Sequence, residues 1–351
     1  MSCAGTITCI YVFLIIQNIP MKQQNKSKRI IVGSIITIVV FGLYGLMLSF
    51  GSHESMYVDR PEGRLCKMPI DGVPSMVTVA PGLVFKIDTG ADASSITEKD
   101  LATLESLGYK AEHKIYPVFG RNGWGRMNWT FTRFQVDLPL YDYISEEDSL
   151  GNISHQIIPE SLNVLHDVDF VPSSTGFSVL GVDFLQKFKI EYLYEEKVVA
   201  LSFDTPEGYE PFAELSVSHS PLKDMWQGNR YYISISVQNI KNDYFLDTGL
   251  QRAKLRLPMS EYVRSSTDLV SDTIRTMIHK HPALVDYDAW VCIGDRCGTA
   301  AVWYCDTNEE PYTFNPFNYI EQDFLLDLNG KKLMLKPHSY AFFSRIKMNG
   351  K

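Results

Sequence analysis

Several common function classes need features that this chain lacks. Its eight histidines include no His-Glu-x-x-His pattern, and no Gly-x-Ser-x-Gly elbow occurs, so neither a zincin nor an α/β-hydrolase is encoded. Basic residues are in the minority: 33 Lys and Arg against 41 Asp and Glu, a formal net charge of -8. No basic patch is interleaved with aromatics, which argues against nucleic acid or anionic lipid as the main partner. Cysteine is scarce, with six in 351 residues. Cys3 and Cys9 fall in an N-terminal leader; Cys66, Cys292, Cys297 and Cys305 do not. None of them makes a C-x2-C pair, so zinc is disfavoured, and in an oxidising compartment they would suit one or two disulfides. Cys292 and Cys297 bracket Ile-Gly-Asp-Arg, a turn-like tetrapeptide that suits a hairpin clasp.

Long apolar runs are also rare. Ile30 to Phe50 carries no charge and is long enough for a helix to cross the hydrocarbon core. Lys22, Lys26, Lys28 and Arg29 precede it, so the positive-inside bias keeps the short tail in the cytoplasm and exports the rest. The earlier run from Ile7 to Ile16 is too short to span; a start at Met21 gives a tidier export signal. The expectation is a single-pass membrane protein with its folded region on the extracytoplasmic side.

What the chain does contain is one tripeptide twice. Asp88-Thr89-Gly90 and Asp247-Thr248-Gly249 lie 159 residues apart, each after a strand-like run. Leu83 to Ile87 precedes the first, and Asp243 to Leu246 the second. Hydrophobic residues make up 45% of the chain, enough for a real core. Downstream of the first copy, Thr97 reads as the N-cap of a short helix with Leu101, Leu104 and Leu107 on one face and Gly108 at its end. A glycine-rich turn, Phe119 to Gly125, then reads as the mobile tip of a β-hairpin. The acidic stretch from Tyr141 to Ser154 reads as a surface loop, and Asp204 to Pro211 as a linker. The closing hairpin Phe324 to Leu335, with Asn329-Gly330 at its turn, echoes Ile190 to Leu201, which points to an internal duplication.

With Val179-Leu180-Gly181 downstream, the segment Asp88-Thr-Gly-Ala-Asp-Ala-Ser-Ser-Ile96 resembles the retropepsin family of aspartic proteases. The resemblance covers most of residues 75–205 and is thinner in the second half. It implies a mostly β fold of two retropepsin-like (acid protease) β-barrel lobes in tandem, as in the single-chain pepsin arrangement. The implied organisation is a leader over 1–28, a transmembrane helix over 29–51, a first lobe over 52–205, a linker over 206–225 and a second lobe over 226–351. The implied activity is an aspartic endopeptidase acting on a peptide or protein substrate, with no cofactor and no metal.

In such a dyad two carboxylates about 3 Å apart share one proton, which drives their apparent pKa values apart. Asp88 and Asp247 would hold one water, one acting as base and the other polarising the carbonyl. The resemblance gives Thr89, Gly90, Thr248 and Gly249 the task of locking the loops, and Asp92, Gly123, Trp124 and Gly125 that of holding substrate. The second half departs from the pattern. Leu250 follows Gly249, and aligning Asp323-Phe324-Leu325 with Asp183-Phe184-Leu185 puts Glu321 at the place of Gly181. The alternative reading is a catalytically inactive peptide-binding or sensor module of the same bilobal fold.

Overall fold

The computed structural model describes residues 56–336, apart from 60, 122–126, 151, 174, 219–228, 251–253, 263–268, 276–279, 295 and 307–311. Two sets of strands follow the same order along the chain. The first set opens with β1 (Arg64–Pro69), β2 (Met76–Ala80) and β3 (Leu83–Ile87), which leads into the first Asp-Thr-Gly. It continues through β4 (Ser95–Ile96), helix α1 (Glu98–Ser106), β5 (Glu112–Arg121), β6 (Met127–Glu147) and β7 (Ile153–Pro172). It closes with β8 (Ser178–Leu180), the single turn α2 (Val182–Leu185), β9 (Lys189–Leu193) and β10 (Val198–Ser202).

The second set is β11 (Glu210–Val217), β12 (Tyr231–Val237), β13 (Ile240–Leu246), β14 (Leu255–Leu257), β15 (Val270–Arg275), β16 (Lys280–Ile293) and β17 (Arg296–Tyr304). It ends with β18 (Thr313–Phe314), the turn α3 (Pro316–Tyr319), β19 (Phe324–Asp327) and β20 (Lys332–Leu335). The pairings repeat as well. β8 lies parallel to β3 as β18 does to β13, and β4 parallel to β7 as β14 does to β17. Strand β11 falls inside the stretch read from sequence as a linker.

The two sets join edge to edge. β9 pairs antiparallel with β19, Tyr192 opposite Phe324 and Ile190 opposite Leu326. Outside this seam β10 and β1 mirror β20 and β11. The local twofold thus passes between β9 and β19. Tyr192, Phe317 and Phe324 pack there with ring centroids 4.9–5.4 Å apart. Burying each large side chain of this kind contributes about 1.5–3 kcal/mol. One apolar core runs through both halves.

The expected pair of closed β-barrels is corrected by this arrangement. Among the described residues the strands form a 13-stranded sheet and a 7-stranded sheet, and neither path returns to its first strand. The larger sheet takes strands from both halves, because the short hairpins β9–β10 and β19–β20 satisfy their open edges on each other.

Local structure follows the residues. Thr97 caps α1 by accepting from Asp100 N at 3.1 Å, and Gly108 ends it at φ 97, with Tyr109 N on Leu104 O. The acidic stretch expected to be a loop is instead strand as far as Glu147. Tyr143 is buried between the half-exposed Asp142 and the exposed Ile144, a period-two pattern hidden by the stretch's overall polarity. Its turn is held by Asp148, whose Oδ1 accepts from Leu150 N and Asn152 N at 2.8 Å each. In the second half β16–β17 corresponds to this β6–β7 hairpin. The disulfide Cys292–Cys297 clasps that turn, while Cys66 and Cys305 are free and buried. The counterpart of the β5–β6 hairpin is therefore β15–β16.

Candidate functional site

Each Asp-Thr-Gly loop leaves the end of a buried strand and is pinned by the parallel strand beside it. Asp88 N donates to Leu180 O at 3.1 Å, and Asp247 N to Phe314 O at 3.0 Å. The loops then lock onto each other through four hydrogen bonds. Thr89 N donates to Thr248 Oγ1 at 3.0 Å and Thr248 N to Thr89 Oγ1 at 3.1 Å. The two hydroxyls in turn donate across the interface, Thr89 Oγ1 to Leu246 O at 2.8 Å and Thr248 Oγ1 to Ile87 O at 3.0 Å. Both threonines are buried, so every one of these polar groups depends on its partner.

The lock brings the carboxylates face to face. A Cβ added to Gly90 would lie 2.7 Å from Asp247 Cγ, and one added to Gly249 would overlap the Asp88 carboxylate. Only a residue without a side chain lets each loop approach the opposite acid this closely. Asp88 Oδ1 accepts from Gly90 N at 2.9 Å, and Asp247 Oδ1 from Leu250 N at 3.0 Å. Burial, followed by the Asp88 charge, raises the Asp247 pKa, while Lys86 works against the rise.

Lys86 is the residue that sequence reasoning passed over. In β3 the burial alternates, with Leu83, Phe85 and Ile87 in the core. Lys86 therefore shares its face with Asp88, two residues on. Its Nζ sits 2.8 Å from Asp88 Oδ2, and the two side chains are 19% and 13% exposed. The matching position in the second half is Phe245, with the Arg230 guanidinium 5.2 Å above its ring centre. The period-two pattern of Leu83–Ile87 was enough to place the ammonium beside the acid.

The supporting residues differ between the halves. Gly181 passes so close beneath its loop that a Cβ would meet Ala93 C at 2.7 Å, and Val182 N donates to Ala91 O. The register of β18 on β13 shows that the counterpart of Gly181 is Asn315, not Glu321. Asn315 Nδ2 donates to Thr248 O at 3.0 Å and Leu250 O at 3.1 Å, and Oδ1 accepts from Phe317 N. No charged side chain lies under the second loop at this position. Asp92 is partly buried; burial raises its pKa to about 7, with Arg230 opposing and Asp183 adding to the rise. Asp183 accepts from Ser94 N and Ser94 Oγ at 2.9 and 2.7 Å, fixing the loop after Ala93. Strands β5 and β6 pair as far as Arg121 opposite Met127; Gly123, Trp124 and Gly125 lie outside the described residues.

Solved structures similar to the chain include two basic 7S globulins and edgp. Basic 7S globulin from soybean is 11% identical, covering 80% of this chain and 96% of that one, with a TM-score of 0.42. The protein solved as edgp is 10% identical over 79% of this chain and 95% of that one, at 0.44. Conglutin gamma, a basic 7S globulin from lupine seeds, is 8% identical over 83% of this chain and all of that one, at 0.41. No family model and no curated protein matches.

The expectation of a membrane-anchored, retropepsin-like endopeptidase is corrected on several findings. The sheet that spans both halves is not a pair of retropepsin-like barrels. The hydrolytic reading is corrected at Lys86. A water-activating dyad relies on two like charges forcing one shared proton. Here the Lys86 ammonium lies 2.8 Å from Asp88 Oδ2, an oxygen the water would need. Among the described residues no helix is long and apolar enough to cross a membrane, and the segment expected to do so, 29–51, lies outside them.

Proposed function

We propose that the chain is a non-hydrolytic peptide-binding module of bilobal acid-protease architecture, with lobes over 52–205 and 226–351 joined through 206–225. The Lys86–Asp88 ion pair carries this reading. It leaves the two loops locked and facing, as a cleft requires, while engaging the Asp88 oxygen that an attacking water would need. Asp88, Asp247 and Lys86 form a charged floor on which an extended peptide lies. Asp92 offers a carboxyl to the peptide backbone. The β5–β6 hairpin, whose tip carries Gly123, Trp124 and Gly125, closes over the chain. Extended peptides suit such a floor because their backbone groups pair with strand edges while alternate side chains enter pockets.

The test is a titration of the full chain into fluorescein-labelled decapeptide mixtures, read by fluorescence anisotropy. A saturable rise that unlabelled peptide reverses is expected, weakened several-fold by Asp92→Asn. Absence of saturable binding up to about 1 mM, a free energy of only about 4 kcal/mol, sinks the reading.

A further inference from the structure

A second concave site lies on the sheet that joins the two halves, lined by none of the Asp-Thr-Gly residues. It has a volume of about 340 Å³ and draws its walls from β1, β9, β10 and the segment after β10. Three cations line it, Arg64, Lys67 and Lys336, and three carboxylates, Glu191, Glu196 and Asp204. These charges are held in place by one another and by their neighbours. Lys67 Nζ lies 2.6 Å from Glu196, and Lys336 Nζ 2.9 Å from Asp323 and 3.7 Å from Glu191. Asp204 Oδ2 accepts from Gly63 N at 3.1 Å, and the Tyr209 hydroxyl donates to Glu191 at 2.7 Å.

One polar group in this wall has no partner. Ser202, at the end of β10, is 3% exposed, and its hydroxyl makes no hydrogen bond. A buried hydroxyl left unpaired costs free energy, and such groups in native proteins are normally satisfied. It lines the same cavity as the six charges.

We propose that this cavity binds a small zwitterion of free amino acid size. The lining carries both cations and carboxylates, so a ligand bearing one charge of each sign is compensated at both ends. A simple anion or cation would meet a like charge close by, at a cost of desolvation and repulsion. The ammonium and Arg64 groups retain free N–H donors for a carboxylate, and Glu191 and Asp204 retain free lone pairs for an ammonium. The Ser202 hydroxyl supplies the hydrogen bond it otherwise lacks, and Leu193 and Pro206 cover an apolar side chain. The inference does not depend on the peptide-binding cleft.

The experiment is isothermal titration of the full chain with L-leucine as probe, alongside N-acetyl-leucine, which keeps only the carboxylate, and leucine amide, which keeps only the ammonium. Saturable binding of L-leucine is expected, with each single-charge analogue at least tenfold weaker. Ser202→Ala weakens L-leucine about three- to tenfold, one hydrogen bond's worth, and Lys67→Met weakens it at least as much. Asp88→Asn leaves it unchanged. No saturable binding of L-leucine up to about 10 mM overturns the proposal; so does binding that neither Ser202→Ala nor Lys67→Met alters.

Discussion

Lys86 Nζ stands 2.8 Å from Asp88 Oδ2, two residues away on the same face of β3. Its counterpart in the second half, Phe245, carries no charge to give Asp247. The two acids are related by the fold's twofold, but their electrostatic surroundings are not. The ion pair is mostly buried, so it is screened far less than a surface pair.

Replacing the ammonium exposes this asymmetry. Lys86→Met leaves Asp88 and Asp247 facing each other without compensation, and should cost about 1–3 kcal/mol of stability near pH 7.5. A proton can take over the role of the ammonium, so the cost should shrink towards pH 5. Urea denaturation of both proteins at the two pH values reads the difference. A pH-independent cost would mean that Lys86 contributes packing alone.

The threonine lock carries its own expectation. Thr89→Val keeps the shape but removes a hydroxyl that donates to Leu246 O and accepts from Thr248 N. Two buried groups lose their partners, a loss of about 2–4 kcal/mol. Thr248→Val should cost a similar amount through Ile87 O and Thr89 N. The double variant should cost clearly less than the sum, because the two residues share one network.

Asp247 sets a pH dependence whose sign is fixed. Its pKa in the folded chain is raised by burial and by Asp88, so the folded state holds this proton more tightly than the unfolded one. The corresponding stability is complete below the unfolded Asp value, about 3.9, and is lost as pH rises through the raised value. Asp247→Asn should therefore match the wild type near pH 4 and exceed it in stability at pH 8. Asp92 and Asp183, also raised by burial, titrate alike in both proteins, so the comparison isolates Asp247. A variant less stable than wild type at pH 8 would contradict this electrostatic assignment.

Cysteine chemistry checks the packing. Cys66 and Cys305 are buried free thiols, and burial raises the pKa of both, so neither presents thiolate to a reagent. Under native conditions iodoacetamide should leave both unmodified in peptide maps and label them only in denaturant. Reducing Cys292–Cys297, whose loop is short, should cost no more than about 2 kcal/mol and leave the core thiols protected.

Much of this architecture was legible in the residues. The repeated Asp-Thr-Gly, the Thr97 cap and the paired C-terminal hairpins are local signals, and the structure brings the two Asp-Thr-Gly loops into contact. What stayed hidden depends on register. Glu321 stood out as the partner of Gly181 because Asp-Phe-Leu occurs in both halves. The chain instead places Asn315 there, four residues before Tyr319, and starts β19 at Phe324. The sheet between the halves was equally invisible, since the pairing of β9 with β19 joins residues more than 130 positions apart. Lys86 was legible and decisive, but its meaning depends on the face it shares with Asp88 rather than on the tripeptide itself.

Under the proposed function, the locked, facing aspartates leave peptides intact because Lys86 holds Asp88. The most direct measurement is mass spectrometry of a defined peptide library incubated with the full chain between about pH 3 and 7, alongside Asp88→Asn and Asp247→Asn controls. Intact peptides are expected with all three proteins. New termini produced by the wild type and absent with either Asn variant would contradict it.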